Sequence, residues 1–207
     1  VQGPIAWTIG QWVSEAVYAG STGDFRWLFG LFFGTLYSPL VIIGLHHMSN
    51  AIDLQLIADF GGTNLWPMIA LSNIAQGSAV LAIIFLHRGN EKEEQVSIPA
   101  AISCYLGVTE PAMFGINIKY IYPFVAAMIG SGIAGLVATT FNVMANSIGV
   151  GGIPGFLSIQ TDSMAMFIVC MAIAIVVPFL LTIVFDKKQL FAPKGEVEDA
   201  PVIQTQK

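Results

Sequence analysis

Charge is scarce in this 207-residue chain. Asp, Glu, Lys and Arg together make up 10% of it, against about 25% in soluble domains. That shortage excludes an ordinary water-facing surface. Cysteine is scarcer still, with two residues. Cys104 and Cys170 stand singly in apolar runs, outside any CxxC or metal spacing. They read as small buried hydrophobes rather than a disulfide framework or redox pair. Zinc lacks ligands: His46 and His47 are adjacent, so they point apart on a helix, and no third Cys or His joins them. No metal, cofactor or nucleic-acid partner is expected. An initiator Met and a basic n-region leading into an apolar segment and cleavage site are also missing. The chain therefore reads as the C-terminal portion of a longer protein.

What is abundant is apolar surface, at 55% hydrophobic residues and a mean hydropathy of +0.74. Four charge-free runs stand out: 27–45, 65–86, 121–141 and 164–185. Each is long enough to cross about 30 Å of hydrocarbon at about 1.5 Å per residue. The fold class expected is an all-α membrane protein, a polytopic helical transporter. Residues 1–25 read as the end of a preceding helix and connector, and 26–190 as the transport domain. Residues 191–207, polar and without periodicity, read as a disordered cytoplasmic tail.

Two segments are too apolar for loops and too broken to span. Residues 46–64 follow Pro39 and Gly44 and end in Gly61–Gly62; Ile52, Leu56 and Phe60 recur every fourth residue with Asp53, Gln55 and Asp59 between them, as on an amphipathic helix. Residues 99–118 carry Gly107 and Pro111 around Glu110. Paired broken segments build midplane sites in transporters, and both are expected to be re-entrant. With 99–118 dipping in and returning, Arg26, Arg88, Lys92, Lys119 and the Lys187–Lys188 pair fall on one face, the cytoplasmic one.

Glu110 is the leading candidate for chemistry. A charge at bilayer depth costs about 2.5–3.5 kcal/mol on insertion scales and persists only where it faces protein or water. Ionised, it accepts from two hydroxyls; otherwise it pins the hairpin. His46 and His47 offer donors and acceptors to a hydroxylated ligand, or form an interfacial pair bonded to backbone. Asn117 is a backbone cap or a hydroxyl partner, and Lys119 a topology anchor. Trp66 is a stacking platform or an interfacial belt residue. Asn73 and Gln76, mid-span, serve helix–helix hydrogen bonding or ligand contact. Ser131-x-x-x-Gly135 is a small-residue packing pattern.

The strings GLHHMSNAIDLQLI (44–57) and LGVTEPAMFGIN (106–117), with the reach from Leu65 to Ile159, resemble enzyme IIC, the membrane subunit of a sugar phosphotransferase system of the glucose superfamily. Gly44–His47 matches its Gly-x-His-His stretch and Gly107–Pro111 its Thr-Glu-Pro hairpin. IKYIYPFVAAMIGSGIAG and NSIGVGGIPGFLSIQ look most like trehalose-specific members. The resemblance covers roughly residues 25–190. It implies an elevator-type transport domain in the bacterial cell membrane, with a homodimer formed through helices upstream. It also implies a disaccharide held by Glu110, Thr109, His46, His47, Asn117 and Trp66, and phosphorylated at a 6-hydroxyl by a phosphocysteine on a IIB domain. Glu110 would be the catalytic group. Neither Cys104 nor Cys170 has the IIB context, so this stretch alone would phosphorylate nothing. On the residues alone a proton- or cation-coupled secondary transporter with Glu110 as its coupling site stays open, as does a membrane scaffold.

Overall fold

The computed structural model describes Trp12 and residues 15–191. The expected tail and most of the opening stretch lie outside the described residues. Three described helices are long and apolar enough to cross a membrane: α4 (Leu65–Leu86), α8 (Tyr122–Thr140) and α9 (Met164–Lys187, extended by a short turn from Thr161). These are the expected runs to within two residues at each end. Their roles differ. Of the apolar window of α4, 78% is buried inside the protein, against 28% for α9, so α4 is the central post and α9 faces lipid.

α2 (Arg26–Ile42) follows α1 (Glu15–Thr22) through a 115° bend, and only the pair together has the length of a span. It lies along α8 at glycine distance. An ideal Cβ on Gly34 would sit 2.6 Å from the Ser131 carbonyl oxygen, and one on Gly30 would meet the Gly135 carbonyl. The Ser131 hydroxyl donates to the Gly34 carbonyl at 2.8 Å. The Ser131-x-x-x-Gly135 pattern thus serves packing. α2 stops at Ile42, short of the expected 45, because the chain reverses at Gly44, whose φ of +76° suits a residue without Cβ. α3 (His46–Phe60) then runs back until Leu56 packs with Leu65 and Met68 at the start of α4.

α5 (Glu91–Tyr105) begins beyond α4 and packs along it. The chain turns at 106–109 and returns through α6 (Glu110–Ala112), a π-helical turn (Met113–Asn117) and α7 (Ile118–Tyr120). The helical hairpin is longer than the expected 99–118. Its open end is tied at one end of the bundle: His87 Nδ1 lies 2.8 Å from Glu93 Oε2, the His87 ring meets Tyr120 edge-on at 5.4 Å, and Tyr122 bonds Asp186. Arg88, Lys92, Lys119, Lys187 and Lys188 therefore gather there. The opposite end is closed by bridges from Thr63 to Ala145 and from Ala145 to Ile159.

Arg26 corrects the expected topology. Gly30 packs on Gly135 and Thr139, near the end of α8, so α2 starts at the bridged end, away from the other described basic residues. The reason is the reversal at Gly44. α2 and α3 make a second helical hairpin, entering from the end opposite the first.

Because the Gly34 contact is to backbone, no rotamer change relieves an added side chain there. Gly34→Val is expected to cost about 1–3 kcal/mol or more, while Leu36→Val, at an exposed position, changes little. Thermal unfolding of the detergent-solubilised protein measures both.

Candidate functional site

Residues from both hairpins line a partly open cavity of about 200 Å³ beside the first half of α4. Tyr37 comes from the last turns of α2, and His46 and Asn50, one helical turn apart, from one face of α3. Trp66, Ile69 and Asn73 share a face of α4. Thr109 and Glu110 follow the 106–109 turn, where Pro111 starts the return limb with a ring already set at helical φ. The last wall is Gly151, from the glycine-rich loop between α8 and α9.

That wall is backbone against backbone. Gly107 has φ +98°, and a Cβ there would lie 2.8 Å from the Gly151 backbone. A Cβ on Gly151 would lie 2.4 Å from Asn73 Nδ2, which itself donates to the Gly107 carbonyl over a long 3.4 Å. The Glu110 side chain is exposed, whereas Thr109 is buried. The groups facing the space, one carboxylate, two carboxamides, two hydroxyls and an imidazole, can donate to and accept from several hydroxyls at once. A wider hollow of about 420 Å³ lies along Glu91–Pro99, but residues of a single helix line it.

The family model for Phosphotransferase system, EIIC matches residues 1–131. The chain belongs to the EIIC family. The trehalose-specific EIIBC component of Escherichia coli (strain K12) is 56% identical over 180 residues, covering 87% of this chain and 38% of that protein. The trehalose-specific EIIBC component of Bacillus subtilis (strain 168) is 48% identical over 186 residues, covering 89% and 39%. The sucrose-specific EIIBC component of Pasteurella multocida (strain Pm70) is 43% identical over 199 residues, covering 91% and 42%. The chain thus spans about two fifths of the length of these relatives. No solved structure matches it.

Of the residues that the sequence singles out, this EIIC chain brings Glu110, Thr109, His46 and Trp66 to one cavity. His47 follows His46 in α3, and only its backbone is described. Asn117 lies elsewhere. It is fully buried, and its Nδ2 donates to the Gln76 carbonyl at 3.2 Å and to Gln76 Oε1 at 2.6 Å. Gln76 Nε2 in turn donates to Ser38 Oγ at 2.8 Å, and Ser38 and Ser72 hydroxyls are 3.2 Å apart. Gln76 therefore takes the helix–helix side of its two readings, while Asn73 lines the cavity. Tyr37, Asn50 and Gly151 are lining residues that sequence reasoning missed. Asn50 carried a signal, its four-residue spacing from His46; Tyr37 and Gly151 carried none.

These placements separate stability from binding. Asn117→Ala leaves Gln76 Oε1 without its donor, and is expected to cost about 1–3 kcal/mol, lowering the unfolding temperature. Glu110→Gln, at an exposed position, is expected to stay within about 0.5 kcal/mol. Parallel thermal melts in the absence of sugar check the pair.

Proposed function

We propose that this chain is the sugar-translocating part of a phosphotransferase permease. It binds a disaccharide, trehalose first among them, in the hairpin cavity and presents a 6-hydroxyl to a phosphorylated IIB domain. The observation that carries the reading is the convergence of Glu110, Thr109, His46, Asn50 and Asn73 on one cavity. Sugars offer many hydroxyls and little apolar area, and these side chains supply matching donors and acceptors in fixed positions. The names of the trehalose- and sucrose-specific relatives support a disaccharide, with the trehalose pair the more similar.

In the transfer step a sugar hydroxyl oxygen attacks phosphorus, the phosphorus–sulfur bond to the IIB cysteine breaks, and the hydroxyl proton leaves. Glu110 orients that hydroxyl and accepts its proton. The remaining catalysis is positioning, because phosphoryl transfer asks little covalent chemistry of the acceptor site. Neither Cys104 nor Cys170, both buried free thiols, takes the part of the phosphoryl carrier. The end that gathers Arg88, Lys92, Lys119, Lys187 and Lys188 is cytoplasmic by the positive-inside rule, with Arg26 the exception. In this orientation the two hairpins are re-entrant from opposite faces, and the cavity lies inside one packed unit that an elevator motion carries whole. At about 200 Å³ the space is below the roughly 300–1,000 Å³ of typical small-molecule sites. A disaccharide therefore enters as the Gly107 turn and the Gly151 loop part. Dimerisation through helices upstream completes the assembly in the bacterial cell membrane.

The decisive experiment is phosphoenolpyruvate-dependent phosphorylation of labelled trehalose in membranes carrying the full-length protein and its phosphotransferase partners. Glu110→Gln is expected to lower the rate at least about a hundredfold, with unlabelled sucrose competing more weakly than trehalose. Accumulation of unmodified sugar that collapses with a proton uncoupler would overturn group transfer and make Glu110 a coupling site.

A further inference from the structure

Asp53 lies outside the cavity and is completely buried. A buried carboxylate is costly unless its oxygens are hydrogen-bonded. Among the described residues no Lys or Arg pairs with it. Its partner comes instead from the start of α4. The Thr63 hydroxyl donates to Asp53 Oδ1 at 2.5 Å, while Asp53 Oδ2 is buried with no hydrogen-bond partner among the described residues. The same Thr63 oxygen accepts the Leu65 N–H at 3.1 Å. Asn64, in the N-cap position of α4, makes no side-chain cap bond. The Leu65 N–H, one of the first free N–H groups of the central helix, which need partners from outside the helix, is thus capped by Thr63, whose hydroxyl is in turn held by a residue of α3.

Two further relations tie this cap to the cavity. Asp53 is three residues from Asn50 and seven from His46, which puts all three on one face of α3. Thr63 also pairs through its backbone with Ala145, N–H to carbonyl at 2.9 Å one way and 2.8 Å the other, and so reaches the segment that carries Gly151. One junction therefore connects α3, α4 and the 142–160 loop, three of the parts that wall the cavity.

We propose that Asp53 is a positioning residue of the sugar site, acting through Thr63 to hold the His46–Asn50 face of α3 in register with Trp66 and the Gly151 loop. The proposal rests on the cavity being the sugar site, and adds how that site is held. α3 is also packed through Leu56 against Leu65 and Met68 and through Phe60 stacked on Tyr18. Apolar packing of this kind is non-directional, and the Asp53–Thr63 bond adds a directional tie between α3 and the start of α4. Asn keeps an acceptor oxygen and the shape of the Asp53 side chain, and is its nearest substitute.

The test uses the full-length protein in the phosphorylation assay, with KM and kcat for trehalose measured separately. Asp53→Ala and Thr63→Val are each expected to raise KM about tenfold, with kcat within about twofold, the pattern of lost binding rather than lost chemistry. Asp53→Asn and Thr63→Ser, which keep the acceptor and the hydroxyl, are expected to restore most of the affinity. Asp53→Ala combined with Asn50→Ala is expected to be little worse than Asp53→Ala alone, because Asn50 is then already out of place. A purely structural cap predicts otherwise: a lower unfolding temperature, unchanged KM in the folded fraction, and additive double mutants. That result overturns the proposal. If Asp53→Ala does not fold, Thr63→Val, nearly isosteric with wild type, carries the test. Asn50→Ala and Glu110→Gln as single variants separate the two levels. If neither alters KM or kcat, the cavity is not the sugar site and the proposal falls with it. If either does while Asp53→Ala and Thr63→Val leave KM unchanged, only the role of Asp53 falls.

Discussion

Both hairpins hang on Gln76. This side chain is buried in the middle of α4, donates to Ser38 of α2 on one side and accepts from Asn117 of the returning limb on the other. A carboxamide suits the task because it carries donor and acceptor on one planar group. Deep in an apolar bundle each of these bonds is made without competition from water, and each would be costly to leave unmade. Helix turns at that depth need partners away from lipid. The Gln76 clasp holds limbs of both hairpins against α4, so that residues beyond each turn, His46 and Asn50 on one and Thr109 and Glu110 on the other, line one cavity.

That cavity is walled unevenly. On the α4 side it is dense, with Trp66, Ile69 and the surrounding helix buried. On the loop side two glycine backbones touch, and the Asn73 bond across them is long. Glycine contacts are also tight between α2 and α8. There Gly30 and Gly34 allow an approach reinforced by the Ser131 hydrogen bond, fixing the outer hairpin to the frame. Glycine thus allows close approach in both places, and the difference lies in what else crosses the contact.

Much of this was legible beforehand. The boundaries of α4, α8 and α9 follow the apolar runs, since the runs end where charge or glycine begins. The breaks at Gly44, Gly61 and Gly107 were visible because positive φ calls for glycine, and all three adopt it. Glu110 was singled out by asking which polar groups an apolar environment would tolerate only for cause, and it lines one cavity with His46, Trp66 and Thr109, the last of which only the family resemblance had suggested. The same question misdirected Asn117, because a buried carboxamide satisfied by another helix and one offered to a ligand look alike in sequence. Arg26 misled for a related reason: one basic residue beside an apolar run carries no information on where that run reverses.

Composition and hydropathy by themselves determined the solvent, the helical class and the three long helices, because crossing hydrocarbon demands about 20 apolar residues whatever their neighbours. The tertiary structure alone decided that α2 enters from the bridged end, that Asn117 turns to Gln76, and that Tyr37, Asn50 and Gly151 join Glu110 around one cavity. Those outcomes depend on which helix faces which, and at what distance. The distances are set by contacts between residues far apart in the chain, such as Gly107 with Gly151 or Asp53 with Thr63, which no local periodicity encodes.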